Sequence, residues 1–89
     1  MPKVVMTHAV RDIDRWLQGK AERDAAIQEG TGSNVTDYVA QDGSNNIAIT
    51  ADLADPAAMA AMLASPPADM VATMEAHGVV LPIAVYIES

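Results

Sequence analysis

Residues 33–53, SNVTDYVAQDGSNNIAITADL, hold two alternating stretches on either side of a turn, and this segment decides the fold. Ser33 to Gln41 and Ile47 to Leu53 alternate apolar and polar residues with the two-residue period of half-buried strands. The residues between them, Asp42-Gly43-Ser44-Asn45-Asn46, favour tight turns. The segment is therefore predicted to form a β-hairpin.

A strand and a helix are predicted before the hairpin. Lys3 to Val10 is rich in β-branched residues and alternates, with His8 on the same face as the apolar positions 4, 6 and 10. Asp12 is a plausible N-cap for a helix that continues to Gly30. The apolar residues recur along this helix at spacings of three and four: Ile13, Trp16, Leu17, Ala21 and Ile27.

A second helical region and a last strand are predicted after the hairpin. Asp55-Pro56 combines a capping carboxylate with a proline at the first helical position. Pro66-Pro67 must interrupt this region, because a prolyl nitrogen cannot donate a hydrogen bond. The second helical piece ends at Gly78, and Val79 to Glu88 forms the last strand. Inward positions are expected for the helical residues Met59, Met62, Leu63, Met70, Val71 and Met74.

The order β-α-β-β-α-β predicts an α+β, ferredoxin-like fold over residues 1–89, a single domain with a four-stranded antiparallel sheet and helices on one face. The other sheet face carries mixed rather than charged residues, and the chain has only three aromatic residues to fill its core. Both observations favour a homodimer in which two sheets pack face to face. Tyr38, Asp52 and Tyr86 are predicted to lie at that dimer interface.

The charge pattern and the absence of cysteine narrow the class of protein. The net charge is −7, which opposes binding to nucleic acid, and all five Lys and Arg residues lie within the first 23 residues. Without cysteine there is neither a disulfide nor a thiolate nucleophile, which fits a cytoplasmic protein. No apolar run is long enough to span a membrane, so no membrane role is expected.

The first strand and helix also carry a family resemblance. His8-Ala9-Val10-Arg11-Asp12-Ile13-Asp14-Arg15-Trp16 resembles an H-x-V-x-D-x-D-x-W pattern of the dimeric α/β-barrel superfamily, in the set related to antibiotic biosynthesis monooxygenases. The similarity continues through Ala51-Asp52-Leu53, the Ser65-Pro66 break, and Ala76-His77-Gly78-Val79, and then through Pro82 to Tyr86 and Glu88. It covers nearly the whole chain with loose, mostly structural motifs, and many small proteins of this group have no established activity.

The resemblance implies a homodimeric barrel with a pocket between helices and sheet in each subunit. Characterised relatives include cofactor-independent oxygenases of polycyclic aromatics and heme-degrading enzymes. The chain departs from the heme-degrading pattern, because its first strand has no Asn and Pro66-Pro67 stand where a Trp would be expected. No cofactor is therefore expected.

His8 is the candidate catalytic residue, because an imidazole on a largely apolar face near Trp16 can be tuned for acid-base chemistry. Trp16, Lys20 and Asp24 are candidate ligand-binding residues. Lys20 and Asp24 project from the apolar stripe of the first helix, either as an ion pair over a cavity or towards a wet pocket. The structural alternative is a buried His8 bonded to backbone, with Trp16 as part of the core.

His77, the other histidine, is a weaker candidate for a functional residue than His8. His77 is expected to interact with the carbonyls and dipole of the helix that it ends. The two histidines have no metal-ligand spacing, so no metal site is predicted.

The first functional hypothesis is a small-molecule-binding protein that acts as a cofactor-independent, monooxygenase-like enzyme on a hydrophobic or aromatic substrate. The alternative is a non-catalytic dimeric binding or stress-associated module.

Overall fold

The computed structural model describes residues 2–29 and 32–89, which form one four-stranded antiparallel sheet and four helices. The elements in chain order are β1 (Lys3–Val10), α1 (Ile13–Gln18), α2 (Lys20–Glu29), β2 (Ser33–Val39), β3 (Asn46–Asp52), α3 (Pro56–Ala64), α4 (Ala68–Ala76) and β4 (Val79–Ile87). The strand order is β2-β3-β1-β4. The predicted ferredoxin-like α+β fold is therefore confirmed, with each predicted helical region divided into two helices.

The hairpin predicted from residues 33–53 is present, with Tyr38 opposite Ala48 and Val39 opposite Ile47. β3 also pairs with β1, so that Met6 lies opposite Ile49. β1 is thus a central strand, bonded to β3 on one side and to β4 on the other. The residues of β1 alternate between buried and half-buried, as the period of two predicts.

The residues predicted to begin and to interrupt the helices do so in the structure. The Asp12 carboxylate accepts hydrogen bonds from the backbone N–H groups of Asp14 and Arg15, at 2.9 and 3.2 Å. Asp55 caps α3 in the same way through the N–H of Ala58, at 3.1 Å, with Pro56 in the first turn. α3 ends at Ala64 and α4 begins at Ala68, because the two prolines between them cannot continue the helix. The predicted helix end at Gly30 lies outside the described residues.

The first predicted helix is interrupted at Gly19, and this changes which residues face the core. The Gly19 N–H bonds to the Trp16 carbonyl oxygen at 3.1 Å, which closes α1 before α2 begins. Leu17 was expected on the inner stripe, and it is 41% exposed.

The apolar core lies between the helices and the sheet. It contains fully buried Trp16 together with Val4, Met6, Val10, Ile47, Ile49, Ala51 and Leu53. Met59 and Leu63 of α3 pack against this cluster, as do Ile83 and Val85 of β4. Met62 and Val71 were expected to face inward and are instead exposed. Neither α3 nor α4 has a fully buried residue.

The second sheet face is not covered by helices. Tyr38 and Tyr86 lie on this face and are 50% and 61% exposed. Across the described ranges, no helix combines the length and apolar character needed to cross a membrane.

Candidate active site

His8 lies on the helix-covered face of β1, next to an irregularity in the sheet. Thr7 pairs with Ala84 of β4 and Ala9 with Val80, so the register shifts around His8. Pro82 falls within the irregular part of β4, where its missing N–H removes no regular ladder bond. Bulges of this kind often re-aim a side chain next to an active site.

The hydrogen bond of His8 fixes the tautomer of the neutral ring. Its Nδ1 lies 2.8 Å from the Ala9 carbonyl oxygen, which can only accept, so Nδ1 carries the proton. Nε2 is then the basic nitrogen of the neutral ring. Burial lowers the pKa of His8 below its ordinary value of 6.5, with a smaller lowering from the positive charge of Arg23, while the bond to Ala9 opposes both. His8 is therefore neutral at pH 7 and has the protonation state of a general base.

Trp16 of α1 forms the wall next to His8. The two ring centroids are 6.2 Å apart, and the ring planes meet at 82°, which is an edge-to-face arrangement. Trp16 is completely buried, and its indole Nε1 has no hydrogen-bond partner within residues 2–29 and 32–89. A buried N–H donor without a partner is costly, which makes it a feature to be explained by function.

Arg23 of α2 covers the indole, and the sequence analysis did not select it. The carbon of its guanidinium lies 3.9 Å from the centroid of the Trp16 ring, within the range of a cation–π contact. Its Nη1 also donates to the Trp16 carbonyl oxygen. Burial lowers the pKa of Arg23, and the nearby carboxylates of Asp37 and Asp24 oppose that effect. An arginine nevertheless remains charged in this environment.

Asp37 of β2 is the second site residue that the sequence analysis did not select. Its carboxylate lies 3.6 Å from Arg23 Nη2 and 3.0 Å from Lys20 Nζ, and its side chain is only 5% exposed. The signal was present in the alternation of β2, which places Asp37 on the same face as Val35. A charged residue at an inward position of a half-buried strand indicates a buried partner of opposite charge.

Lys20 and Asp24 form an ion pair of 2.9 Å at the edge of this group. Of the two alternatives that the sequence left open, the structure therefore has the i,i+4 pair. Hydrogen bonds to Asp24 and Asp37 raise the pKa of Lys20, so its ammonium group stays protonated. We call Lys20, Arg23, Asp24 and Asp37 the ion cluster; its two positive and two negative charges cancel.

The site is closely packed in this structure. Trp16 is completely buried and Arg23 covers a face of the indole, so a ligand that stacks on that face has to displace the guanidinium. Two depressions lie elsewhere: one of about 170 Å³ beside α3, lined by Leu53, Asp55, Ala58, Met59 and Met62, and one of about 260 Å³ on the uncovered sheet face, beside Thr7 and Tyr38.

The side chain of His77 lies at the junction between α1 and α2. Its imidazole Nε2 lies 3.3 Å from Glu22 Oε2 of α2, and its ring packs against Gly19. A Cβ atom on Gly19 would lie 2.9 Å from His77 Cε1 and 3.0 Å from Arg23 Nη1. The backbone N–H of His77 bonds to the Thr73 carbonyl oxygen of its own helix at 3.0 Å, while its imidazole connects the end of α4 to the α1–α2 junction.

The residues predicted at a dimer interface lie apart from the ion cluster. Tyr38 and Tyr86 are on the uncovered face, where Thr50 Oγ1 and Tyr38 Oη are 3.5 Å apart. Asp52 accepts from Asn34 Nδ2 at 2.7 Å and pairs with Lys3 Nζ at 3.0 Å. These two contacts hold the pKa of Asp52 below its ordinary value. In the part of the chain that the structure describes, no three His, Cys, Asp or Glu side chains are grouped to hold a metal ion.

Comparison with known proteins supports the fold. No family model and no curated protein sequence matches the chain. An antibiotic biosynthesis monooxygenase structure is similar to it, with a TM-score of 0.65 and 15% identity, covering 100% of this chain and 97% of that one. A putative antibiotic biosynthesis monooxygenase from Deinococcus radiodurans has a TM-score of 0.56 and 15% identity, covering 97% of this chain and 90% of that one. Rv0793 from Mycobacterium tuberculosis has a TM-score of 0.53 and 17% identity, covering 100% of this chain and 94% of that one. At these identities the similarity concerns the fold. The predicted resemblance is therefore confirmed as a shared ferredoxin-like fold with these structures.

Proposed function

We propose that the protein binds a hydrophobic or aromatic small molecule beside His8 and Trp16 and acts on it as a cofactor-independent, monooxygenase-like enzyme. The observation that carries the proposal is the pairing of a neutral, buried imidazole with a fully buried indole that bears a guanidinium on its face. The fold that it shares with two structures named as antibiotic biosynthesis monooxygenases supports the same reaction class.

Each residue has a chemical role in this proposal. Nε2 of His8 accepts a proton from an acidic O–H or C–H group of the substrate. Arg23 Nε and Nη2, which have no hydrogen-bond partner within the described residues, donate to the oxygen of the substrate as it is deprotonated, and Trp16 provides an apolar wall for an aromatic ring. Dioxygen then bonds to a carbon atom of the anion to give a peroxide. Cleavage of its O–O bond, with loss of the remaining hydrogen from that carbon, leaves a C=O group and releases water, so the substrate supplies both hydrogens and all four electrons. Lys20 and Asp24, which the sequence predicts as ligand-binding residues, border the site through their ion pair.

The experiment combines binding with oxygen consumption. The protein contains one tryptophan, so the emission of Trp16 reports on the site directly when phenols such as 1-naphthol, and quinones, are titrated. A ligand that changes this emission is then tested as a substrate with an oxygen electrode. We expect His8→Gln to abolish oxygen uptake while His77→Gln, the matched change at the other buried histidine, retains it. A ligand-independent Trp16 signal across these compounds would refute the proposal.

A non-catalytic binding or stress-associated module is the second candidate, and the charge balance of the ion cluster favours it. Lys20 has two carboxylate partners, and Arg23 already fills the indole face, as in an ion network that serves stability alone. Ligand binding without oxygen uptake or any change of the ligand would support this candidate over the enzyme.

We also propose that the chain is one domain that forms a homodimer through the uncovered sheet face, with Tyr38, Asp52 and Tyr86 at the interface. The exposed tyrosines and the neutral residues around them support this arrangement, because two such faces can bury each other. A cytoplasmic location, predicted from the composition, belongs to the same proposal.

A further inference from the structure

Asp37 stands where a strand normally carries an apolar residue. Its side chain points from β2 into the helix-covered face, with 5% of its surface exposed. Burying a carboxylate is costly unless cations compensate for the lost water. The two cations that Asp37 contacts, Lys20 and Arg23, provide this compensation.

The contacts of Arg23 come from two parts of the molecule. The indole ring and the carbonyl oxygen that it contacts both belong to Trp16, on the neighbouring helix α1. Asp37 is the partner that belongs to the sheet, at 3.6 Å from Nη2. Asp37 is thus the sheet residue whose charge faces the guanidinium, as an ion pair without a direct hydrogen bond.

The charges of the ion cluster add to zero. Lys20 and Arg23 face Asp24 and Asp37, and His8 is neutral at pH 7. The next ionisable groups, Glu22 and His77, pair with each other beside Gly19. Removing the charge of Asp37 would leave the ion cluster with one positive charge in excess.

We propose that Asp37 is a positioning and specificity-determining residue: it holds Arg23 against Trp16 and cancels its charge, so that the site accepts a neutral aromatic ligand over an anionic one. The ligand selectivity rests on the proposed function, whereas the placement of Arg23 is a property of the ligand-free protein. The two parts can therefore be tested separately.

A double-mutant cycle tests the placement without any ligand. The variants are Asp37→Asn, Arg23→Gln and the combination of both, measured by Trp16 emission and by the urea midpoint. We expect both single changes to shift the emission in the same direction, and Asp37→Asn to add no shift once Arg23 is replaced. The double variant, which has no uncompensated charge, should have a higher midpoint than Asp37→Asn alone.

The cycle has a matched control and a clear negative result. Asp14→Asn removes the same charge from an exposed position on α1, and it should leave the emission unchanged. Strictly additive effects of the two changes on the emission would overturn the placement. If Asp37→Asn does not fold, recovery of folding in the double variant supports it, and failure of the double variant contradicts it.

A pair of ligands of the same shape tests the selectivity. Naphthalene-2-carboxamide is neutral and naphthalene-2-carboxylate is anionic, and both can be followed through Trp16 emission. We expect the wild-type protein to prefer the amide, and Asp37→Asn to shift the ratio of the two affinities about tenfold towards the carboxylate. Asp37→Glu, which restores the charge, should return the ratio towards the wild-type value.

The possible results separate this inference from the proposed function. An unchanged ratio in Asp37→Asn overturns the selectivity while leaving ligand binding intact. If neither compound binds the wild-type protein, the selecting role of Asp37 falls together with the aromatic-binding site. The mutant cycle then still decides whether Asp37 positions Arg23.

Discussion

The guanidinium of Arg23 lies 3.9 Å from the centre of the Trp16 ring, although seven residues and a helix break separate the two along the chain. Residues seven apart lie on the same helical face, so this contact joins α1 to α2 across the junction at Gly19. A Cβ atom at Gly19 would lie 2.9 Å from His77 Cε1 and 3.0 Å from Arg23 Nη1, so a side chain there would require these two side chains to shift.

Replacing Arg23 by lysine should weaken this contact. Lysine has a compact ammonium group that cannot both stack on the indole and donate to the Trp16 carbonyl oxygen as the planar guanidinium does. We expect Arg23→Lys to lower the free energy of unfolding by about 1 kcal/mol, measured by urea unfolding followed through Trp16 emission. Arg15→Lys, on an exposed position of α1, is the matched control. Equal effects of the two changes would contradict the role of the stacking.

His8 should make stability depend on pH. Its pKa is lowered in the folded state, so below the ordinary value of 6.5 the unfolded chain binds a proton that the folded protein does not. The free energy of unfolding should therefore fall as the pH decreases from 6.5 towards the pKa of the folded state. Urea unfolding between about pH 8 and pH 5 should show a smaller decrease for His8→Asn. Parallel curves for the two proteins would refute burial as the cause.

The uncovered sheet face predicts a charge-sensitive dimer. Ala84 of the edge strand β4 lies opposite Thr7 of the central strand β1, and an arginine there would place a charge within the proposed interface. We expect Ala84→Arg to convert a dimer to a monomer in light scattering, whereas Ala72→Arg on an exposed position of α4 keeps the dimer. A wild-type protein that is monomeric at micromolar concentration would refute the dimer.

Gly32 should tolerate no side chain. An added Cβ atom would lie 2.8 Å from Leu53 Cδ2 and 2.9 Å from the carbonyl oxygen of Ile27, and a backbone atom cannot move aside cheaply. We expect Gly32→Ala to lower the free energy of unfolding by about 1–3 kcal/mol, measured as a lower Tm.

Gly43 supplies the control for that change. It lies in the hairpin turn with φ of 80° and has open space around it. Asparagine adopts this left-handed conformation more readily than other residues with a side chain. Gly43→Asn should therefore change Tm much less than Gly32→Ala, and a similar loss in both variants would contradict the packing explanation.

Local signals in the sequence predicted the fold because each acts within a few residues. Asp12 and Asp55 cap their helices, and the period of two in β1 and the hairpin identifies the buried face. The site was only partly predictable. Its position near His8 and Trp16 followed from the first strand and helix. Arg23 was missed although its seven-residue spacing from Trp16, which puts both on one helical face, was visible in the sequence. Asp37 was missed because its partners come from another element, although its place beside Val35 in the alternation was visible.

The ion cluster also has a consequence for how fast ligands reach the site. It engages two of the five basic residues with Asp24 and Asp37, so the surplus of acidic groups that gives the net charge of −7 remains elsewhere in the molecule. The resulting field repels anions at long range and has little effect on uncharged molecules. Association of an anionic ligand should therefore accelerate as added salt shortens the screening length, while association of a neutral ligand should be nearly independent of ionic strength.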